Sequence, residues 1–171
     1  MIHLNIGSNL SSKFGNRFDN ITIAIDLLKS AKVKIKKISN FYETPSYPNK
    51  RFPNYLNVGV LCSFGENPEI LFKIIKSIEK KIGRFKTKKN DPRVCDIDII
   101  DHNSDIVKKG IITLPHLRCH MRNFVLYPIK EIDPYWIHPV LGQNVNNLIK
   151  KLDFKSRIEI TRLSKNVNIS L

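Results

Sequence analysis

The chain has 171 residues, 42% of them hydrophobic, and carries 29 Lys and Arg against 15 Asp and Glu, a formal charge of +14. This length suits one domain over residues 1–171 and excludes a scaffold that needs disulfides or metal to fold. No apolar run reaches membrane-spanning length, and the three cysteines are odd in number and far apart, which points to reduced thiols in a cytoplasmic protein.

Met1 to Gly7 lacks a basic start and a long apolar run, so it does not read as a signal peptide. The positive excess suits a polyanionic partner. The chain is also rich in Lys, Asn and Ile, a bias that A/T-rich codons produce without functional demand. Only the places where charge clusters therefore carry weight.

Ile2-His3-Leu4-Asn5-Ile6 alternates apolar and polar and predicts a half-buried first strand. Gly7-Ser8-Asn9-Leu10 follows as a turn. Phe18, Ile21, Ile25 and Leu28 recur at helical spacing and predict a helix from about Asn16 to Ala31. Val33, Ile35 and Ile38 predict a second strand running toward Tyr42, with lysines that suit an edge. Three prolines between Thr44 and Pro53 predict a long loop. Asn54 to Phe64 alternates again. Leu56, Val58, Val60 and Cys62 should face the core, and Tyr55, Asn57 and Gly59 the other side. An aromatic and an amide beside a glycine leave room for a flat polar ligand; the plainer reading is that they face solvent.

Asn67-Pro68-Glu69 is a helix start, with Gly83 placed to end it. Ile70, Leu71, Ile74, Ile75, Ile78 and Ile82 form its expected buried stripe. Glu79, near the end, reads most simply as a solvated helix acid. Residues 84–93 hold Arg84, Lys86, Lys88, Lys89 and Arg93 against Asp91, the densest positive patch.

That patch leads into Val94-Cys95-Asp96-Ile97-Asp98-Ile99-Ile100, which has strand character. Alternation puts Cys95, Ile97 and Ile99 on one face and Asp96 and Asp98 on the other, about 6.6 Å apart at Cα. Two like charges so close call for something cationic. Mg²⁺ commonly binds through one or two carboxylates plus substrate phosphates. A cationic loop beside such a pair is what phosphate transfer uses. The alternative is an edge strand with two solvated acids.

Ile106-Val107 and Ile111-Ile112-Thr113 predict a short hairpin. His116 and His120 have helical spacing for zinc, but Pro115 breaks a helix there and no third ligand is evident. His116 sits among basic groups and could meet a phosphate. Phe124 to Ile132 predicts a short helix, and Val145, Leu148, Ile149 and Leu152 another. The tail from about Asp153 is uninformative, though Ile158 and Ile160 could add a strand.

Strand, helix, strand, strand, helix, strand is the order of a ferredoxin-like split βαβ sheet, α+β and antiparallel, with helices on one face. Tyr55, Asn57, Asp96 and Asp98 would then share the other face. RNA-recognition modules use the same fold. They stack bases on sheet aromatics, and this chain lacks a strand of that composition, so no nucleic-acid partner is expected.

The ordered set of motifs resembles the 6-hydroxymethyl-7,8-dihydropterin pyrophosphokinase family. The match runs through Gly7-Ser8-Asn9-Leu10, Ser39 to Pro45, Tyr55-Leu56-Asn57, Glu79 and Gly83-Arg84. It continues through Pro92-Arg93-Val94-Cys95-Asp96-Ile97-Asp98, Leu114-Pro115-His116, Arg122 to Leu126 and His138-Pro139. The Pro-Arg-x-x-Asp-x-Asp core makes the set specific. Asn90-Asp91 stand where the family often has Trp-Gly, and Lys86 where an arginine is frequent.

The resemblance implies that ATP donates pyrophosphate to the hydroxymethyl group of the dihydropterin, releasing AMP, in folate biosynthesis. It implies two Mg²⁺ on Asp96 and Asp98, with Arg84 and Arg93 steadying the transferring group. Glu79, Lys86, Arg93, His116 and Arg122 would contact ATP. Asn9, Thr44, Pro45, Tyr55, Asn57 and Phe124 would hold the pterin. The expected partners are these small molecules alone, with no membrane, for a monomeric cytoplasmic enzyme.

Overall fold

The computed structural model describes residues 1–85 and 91–164, the side chain of Lys109 excepted. In chain order it comprises β1 (Ile2–Ser8), α1 (Arg17–Ser30), β2 (Lys34–Ile38), β3 (Tyr42–Thr44), β4 (Tyr55–Ser63), α2 (Pro68–Ile82) and β5 (Asp96–His102). There follow β6 (Val107–Lys109), β7 (Ile112–Leu114), a 3-10 turn (Cys119–Met121), α3 (Asn123–Ile132), α4 (Val145–Lys151), α5 (Phe154–Ile158) and β8 (Thr161–Arg162).

The main sheet is antiparallel in the order β5-β1-β4-β3-β8, with β2 also pairing β4. This is the ferredoxin-like α+β arrangement the motif order predicts. The extension expected from Val33 to Tyr42 is two short strands, β2 and β3, laid along successive parts of β4.

Local chemistry sets the helix ends. Asn16 caps α1 by accepting from the backbone of Phe18 and Asp19, while the Asp19 side chain accepts from Asn16 N, a complete capping box. Asn67 caps α2, Pro68 opens it, and Gly83 closes it at φ 113°, a left-handed conformation that favours glycine. The buried stripe of α2 is Leu71, Ile75, Ile78 and Ile82; Ile70 is 37% exposed, so the expected stripe is rotated slightly.

Ile2, Leu4, Ile6, Leu56, Val58, Val60, Cys62, Cys95, Ile97 and Ile99 pack under α1 and α2 as the main core. Full burial of an Ile or Leu side chain contributes about 1.5–3 kcal/mol, so this face supplies most of the driving force. The second face is not bare. A second cluster of Ile100, Cys119, Val125, Leu126, Ile129, Trp136, Val145 and Leu148 lies beneath α3 and α4. A bulge contributes: the β1–β5 register shifts between His3 and Leu4. Alternation puts Ile99 in the first core and Ile100 in the second, and the bulge keeps Asp101 on the side of Ile100, where it accepts from Trp136 Nε1 at 2.8 Å.

Gly59 belongs to this packing. A Cβ on it would lie 2.8 Å from Pro128 Cβ and 3.1 Å from Ile132 Cδ1. The room expected there for a flat ligand is filled by α3, and the space beside Asn57 lies instead at Gly7. Toward the end of the described residues, Ile158 ends helix α5 rather than alternating in a strand, and β8, which pairs β3, begins three residues later.

Candidate active site

The open end of the second face is built by register. Gly7 pairs with both Asp96 and Asn57, and Asn57 pairs with Tyr42, so these four form one row across β5, β1, β4 and β3. Asn5 is opposite Asp98 and Gly59 in the next row. Thr44 is opposite Tyr55, and its hydroxyl accepts from Asn57 Nδ2 at 3.4 Å. A Cβ on Gly7 would sit 3.1 Å from Asn57 Oδ1 and 3.7 Å from Tyr55 Cδ1, so glycine keeps the row open. The alternation His3-Asn5-Gly7 puts Asn5 and Gly7 on the same face as the acids. That alternation is visible in the sequence of β1 itself.

Three arginines and a histidine ring the two acids. Arg84 and Arg93 each reach Asp96, at 2.5 and 3.0 Å, through different carboxylate oxygens. Arg122 lies 3.4 Å and His116 3.9 Å from the same oxygen of Asp98. Arg84 and Arg93 come from the two ends of the cationic segment, whose middle, with Lys86, lies outside the described residues. Arg122 precedes α3 and lies over the Phe124 ring, 5.4 Å from its centre.

Glu79 is not the solvated helix acid of the plain reading. It is 2% exposed, accepts from the backbone of Ile97 at 2.9 Å and from Lys76 Nζ at 2.8 Å, and pairs with Arg84. It thus ties the last turn of α2 to β5 and aims Arg84 at Asp96. Three consecutive helical turns of isoleucine disguised it, because the pattern alone does not show that β5 lies against this turn.

Asn9 is 1% exposed and closes the neighbouring loops. Its Nδ2 donates to Ser46 Oγ and Pro53 O, and its Oδ1 accepts from Arg93 N at 2.7 Å. The segment holding Thr44 and Pro45 is thereby fastened to the one holding Arg93. Tyr55 Oη points to the Asp91 carbonyl at 3.5 Å. Two surface hollows of about 470 Å³ adjoin this clasp, one lined by Asn9 and the other by Arg84 and Arg93. Neither is lined by Asp96 or Asp98, so the charge cluster rather than hollow size marks the candidate site.

The electrostatics follow from the geometry. Burial, and then the charge of Asp96, push the Asp98 carboxyl up to about 6, against the pull of Arg122. Burial works against the charge on Arg84, but Asp96 and Glu79 outweigh it and hold it above its usual range. Burial and the nearby Arg122 and Arg118 push His116 down to about 4, so it is neutral at physiological pH. Two hard carboxylates in a partly desolvated cleft, one of them resisting ionisation, suit a divalent cation. The residues present therefore fit magnesium.

An acid pair in a ring of arginines, on one face of a ferredoxin-like α+β sheet, has the charges that a divalent cation and an anionic group would each need. The model of the 7,8-dihydro-6-hydroxymethylpterin-pyrophosphokinase family matches residues 3–134. The 2-amino-4-hydroxy-6-hydroxymethyldihydropteridine pyrophosphokinase of Aquifex aeolicus is 33% identical over 139 residues, 81% of this chain and 84% of that protein. The folic acid synthesis protein FOL1 of Dictyostelium discoideum is 35% identical over 148 residues, 86% of this chain but 22% of that protein. The chain thus spans about a fifth of the longer relatives it matches. The crystal structure of Plasmodium falciparum HPPK-DHPS wild type superposes with a TM-score of 0.72 at 16% identity, covering 94% of this chain and 47% of that one. The chain belongs to the 7,8-dihydro-6-hydroxymethylpterin-pyrophosphokinase family.

Proposed function

We propose that this chain transfers pyrophosphate from ATP to 6-hydroxymethyl-7,8-dihydropterin in folate biosynthesis, giving AMP and the pterin diphosphate. The observation that carries the reading is the single cluster of Asp96, Asp98, Arg84, Arg93, His116 and Arg122 on one sheet face. It is supported by family membership and by the name of the Aquifex relative.

In this reaction the hydroxymethyl oxygen attacks the β-phosphorus of ATP. The bond from that phosphorus to the bridging oxygen toward the α-phosphate breaks, AMP leaves with that oxygen, and the hydroxyl proton passes to solvent. No protein nucleophile is required, so positioning and charge neutralisation are the protein's work. Asp96 and Asp98 would hold two Mg²⁺, which when bound neutralise and orient the phosphate oxygens. Once the acids are engaged there, Arg84 and Arg93 are free to turn from Asp96 to the transferring group. Glu79 limits that turn for Arg84. His116, neutral, and Arg122 line the Asp98 side, where the nucleotide phosphates would lie.

Asn57 and the backbone at Thr44-Pro45 would read the polar edge of the pterin, between the rings of Tyr55 and Phe124. The Asn9 clasp keeps that wall in register with Arg93. Lys86, which lies outside the described residues, would add a contact to ATP.

The test mixes protein, Mg²⁺, ATP and the hydroxymethyl-dihydropterin and separates the nucleotides. AMP in amounts equal to the pterin diphosphate is expected. ADP as the nucleotide product, or no turnover, overturns the reading.

A further inference from the structure

Glu131 sits in the last turn of α3, where a carboxylate faces the negative end of the helix dipole. Four donors nevertheless converge on it. Its Oε1 accepts from Asn40 N at 2.9 Å and Asn40 Nδ2 at 2.5 Å. Its Oε2 accepts from Tyr42 Oη at 2.6 Å and Arg162 Nε at 3.3 Å. We propose that Glu131 is a positioning residue for the pterin: by gripping the start of β3 from the end of α3, it fixes the spacing between Phe124 and the wall of Thr44 and Asn57. The proposal rests on the reading of the cleft as a pterin slot.

Of the two elements that Glu131 joins, α3 is the fixed one. Val125, Leu126 and Ile129 are buried in the second core. Phe124, Pro128 and Glu131 recur at helical spacing on one face of the helix, and Pro128 lies against Gly59 of β4. Arg122, just before the helix, reaches Asp98 of β5 at 3.4 Å. The helix therefore crosses the sheet from the acids toward β3, with Phe124 and Glu131 about 10 Å apart along its axis, seven rises of roughly 1.5 Å.

The light element is β3. It has three residues and is edged by the two-residue β8. Tyr42 opens it, pairs with Asn57 and ends the row of Asp96, Gly7 and Asn57 across the cleft floor. Tyr42 is 6% exposed, and burial together with Glu131 pushes its hydroxyl upward, so it stays protonated and donates. Burial works against the charge on Glu131, but the bonds from Tyr42 and Asn40 outweigh it and hold the carboxyl below its usual range. Two residues beyond Tyr42, the Thr44 hydroxyl accepts from Asn57. Releasing Glu131 would thus loosen the Thr44 side of the slot and leave Arg122 and Asp98 in place.

The experiment measures the two ligands separately on the full chain. Hydroxymethyl-dihydropterin is followed by its fluorescence with Mg²⁺ and a non-hydrolysable ATP analogue present, and the analogue with Mg²⁺ alone by calorimetry. Glu131→Ala should weaken pterin binding about tenfold or more and move the affinity for the analogue less than about threefold. Glu131→Gln should bind the pterin within about threefold of the parent, because its amide oxygen can accept from Asn40 and its NH₂ can donate to the Tyr42 oxygen. Circular dichroism checks each fold. Should Glu131→Ala unfold, Tyr42→Phe carries the test, with pterin binding about threefold or more weaker. Unchanged pterin binding in the variant that carries the test, or pterin and analogue weakened alike, overturns the inference. A parent chain that binds the analogue but no pterin overturns instead the functional reading beneath it.

Discussion

At Asp98 two costs meet. Burial comes first and the charge of Asp96 adds to it, so the carboxyl titrates at about 6 rather than near 3.8. A folded-state pKa raised above the unfolded one means the native state binds the proton more tightly. The penalty is therefore absent below about 3.8 and fully present above about 6. Asp98→Asn should raise the Tm of the metal-free protein at pH 7.5 by about 2–8 °C, from ~1–2 kcal/mol, and leave it nearly unchanged at pH 3.5. Calorimetry at the two pH values checks this, and equal shifts at both would remove the electrostatic account. Arg93 holds Asp96 through its guanidinium and Asn9 through its backbone. Replacing the side chain leaves the backbone bond, so Arg93→Ala should lower kcat at least about tenfold while the pterin KM moves less than about threefold. Steady-state kinetics with each substrate varied would show it; an unchanged kcat takes Arg93 out of the transfer step.

Among the elements, most were legible because local signals and tertiary packing agree. Asn16 and Asn67 cap α1 and α2 where their side chains predict starts, and Gly83 ends α2. Alternation in β4 and β5 put Asn57, Asp96 and Asp98 on the faces they occupy. What pattern could not show was which element covers a face. α3 carries Pro128 within it and lies over Gly59, so a glycine that reads as ligand space is a packing site. Glu79 was misleading for the same reason: its helix position says nothing about β5 lying against it. Gly59→Ala should lower stability by about 1–3 kcal/mol, or about 2–12 °C in Tm, by forcing α3 off the sheet. Gly65→Ala, with open space around the new Cβ, should change little. Thermal melts of the pair separate close packing from a general intolerance of glycine replacement.

The whole molecule divides the sheet between two tasks. One face is committed to the core under α1 and α2. The other is shared between α3 and α4, which bury its far half, and the charged cleft at its near half. Alternation and the bulge in β5 let Ile100 and Asp101 serve the buried half while Asp96 and Asp98 serve the cleft. Net charge was a poor guide at this scale. Of 29 Lys and Arg residues, the three arginines at Asp96 and Asp98, joined by His116, are the ones that define the site, and their placement comes from register and loop closure rather than from composition.

The central claim is that two carboxylates on one strand face hold the cations that present ATP. Paramagnetic counting of bound Mn²⁺, with a non-hydrolysable ATP analogue present, tests it directly. The parent chain should bind two ions with the nucleotide, and an Asp96→Asn, Asp98→Asn double variant with intact circular dichroism should hold neither at the same concentrations. Equal occupancy in parent and double variant would contradict the account.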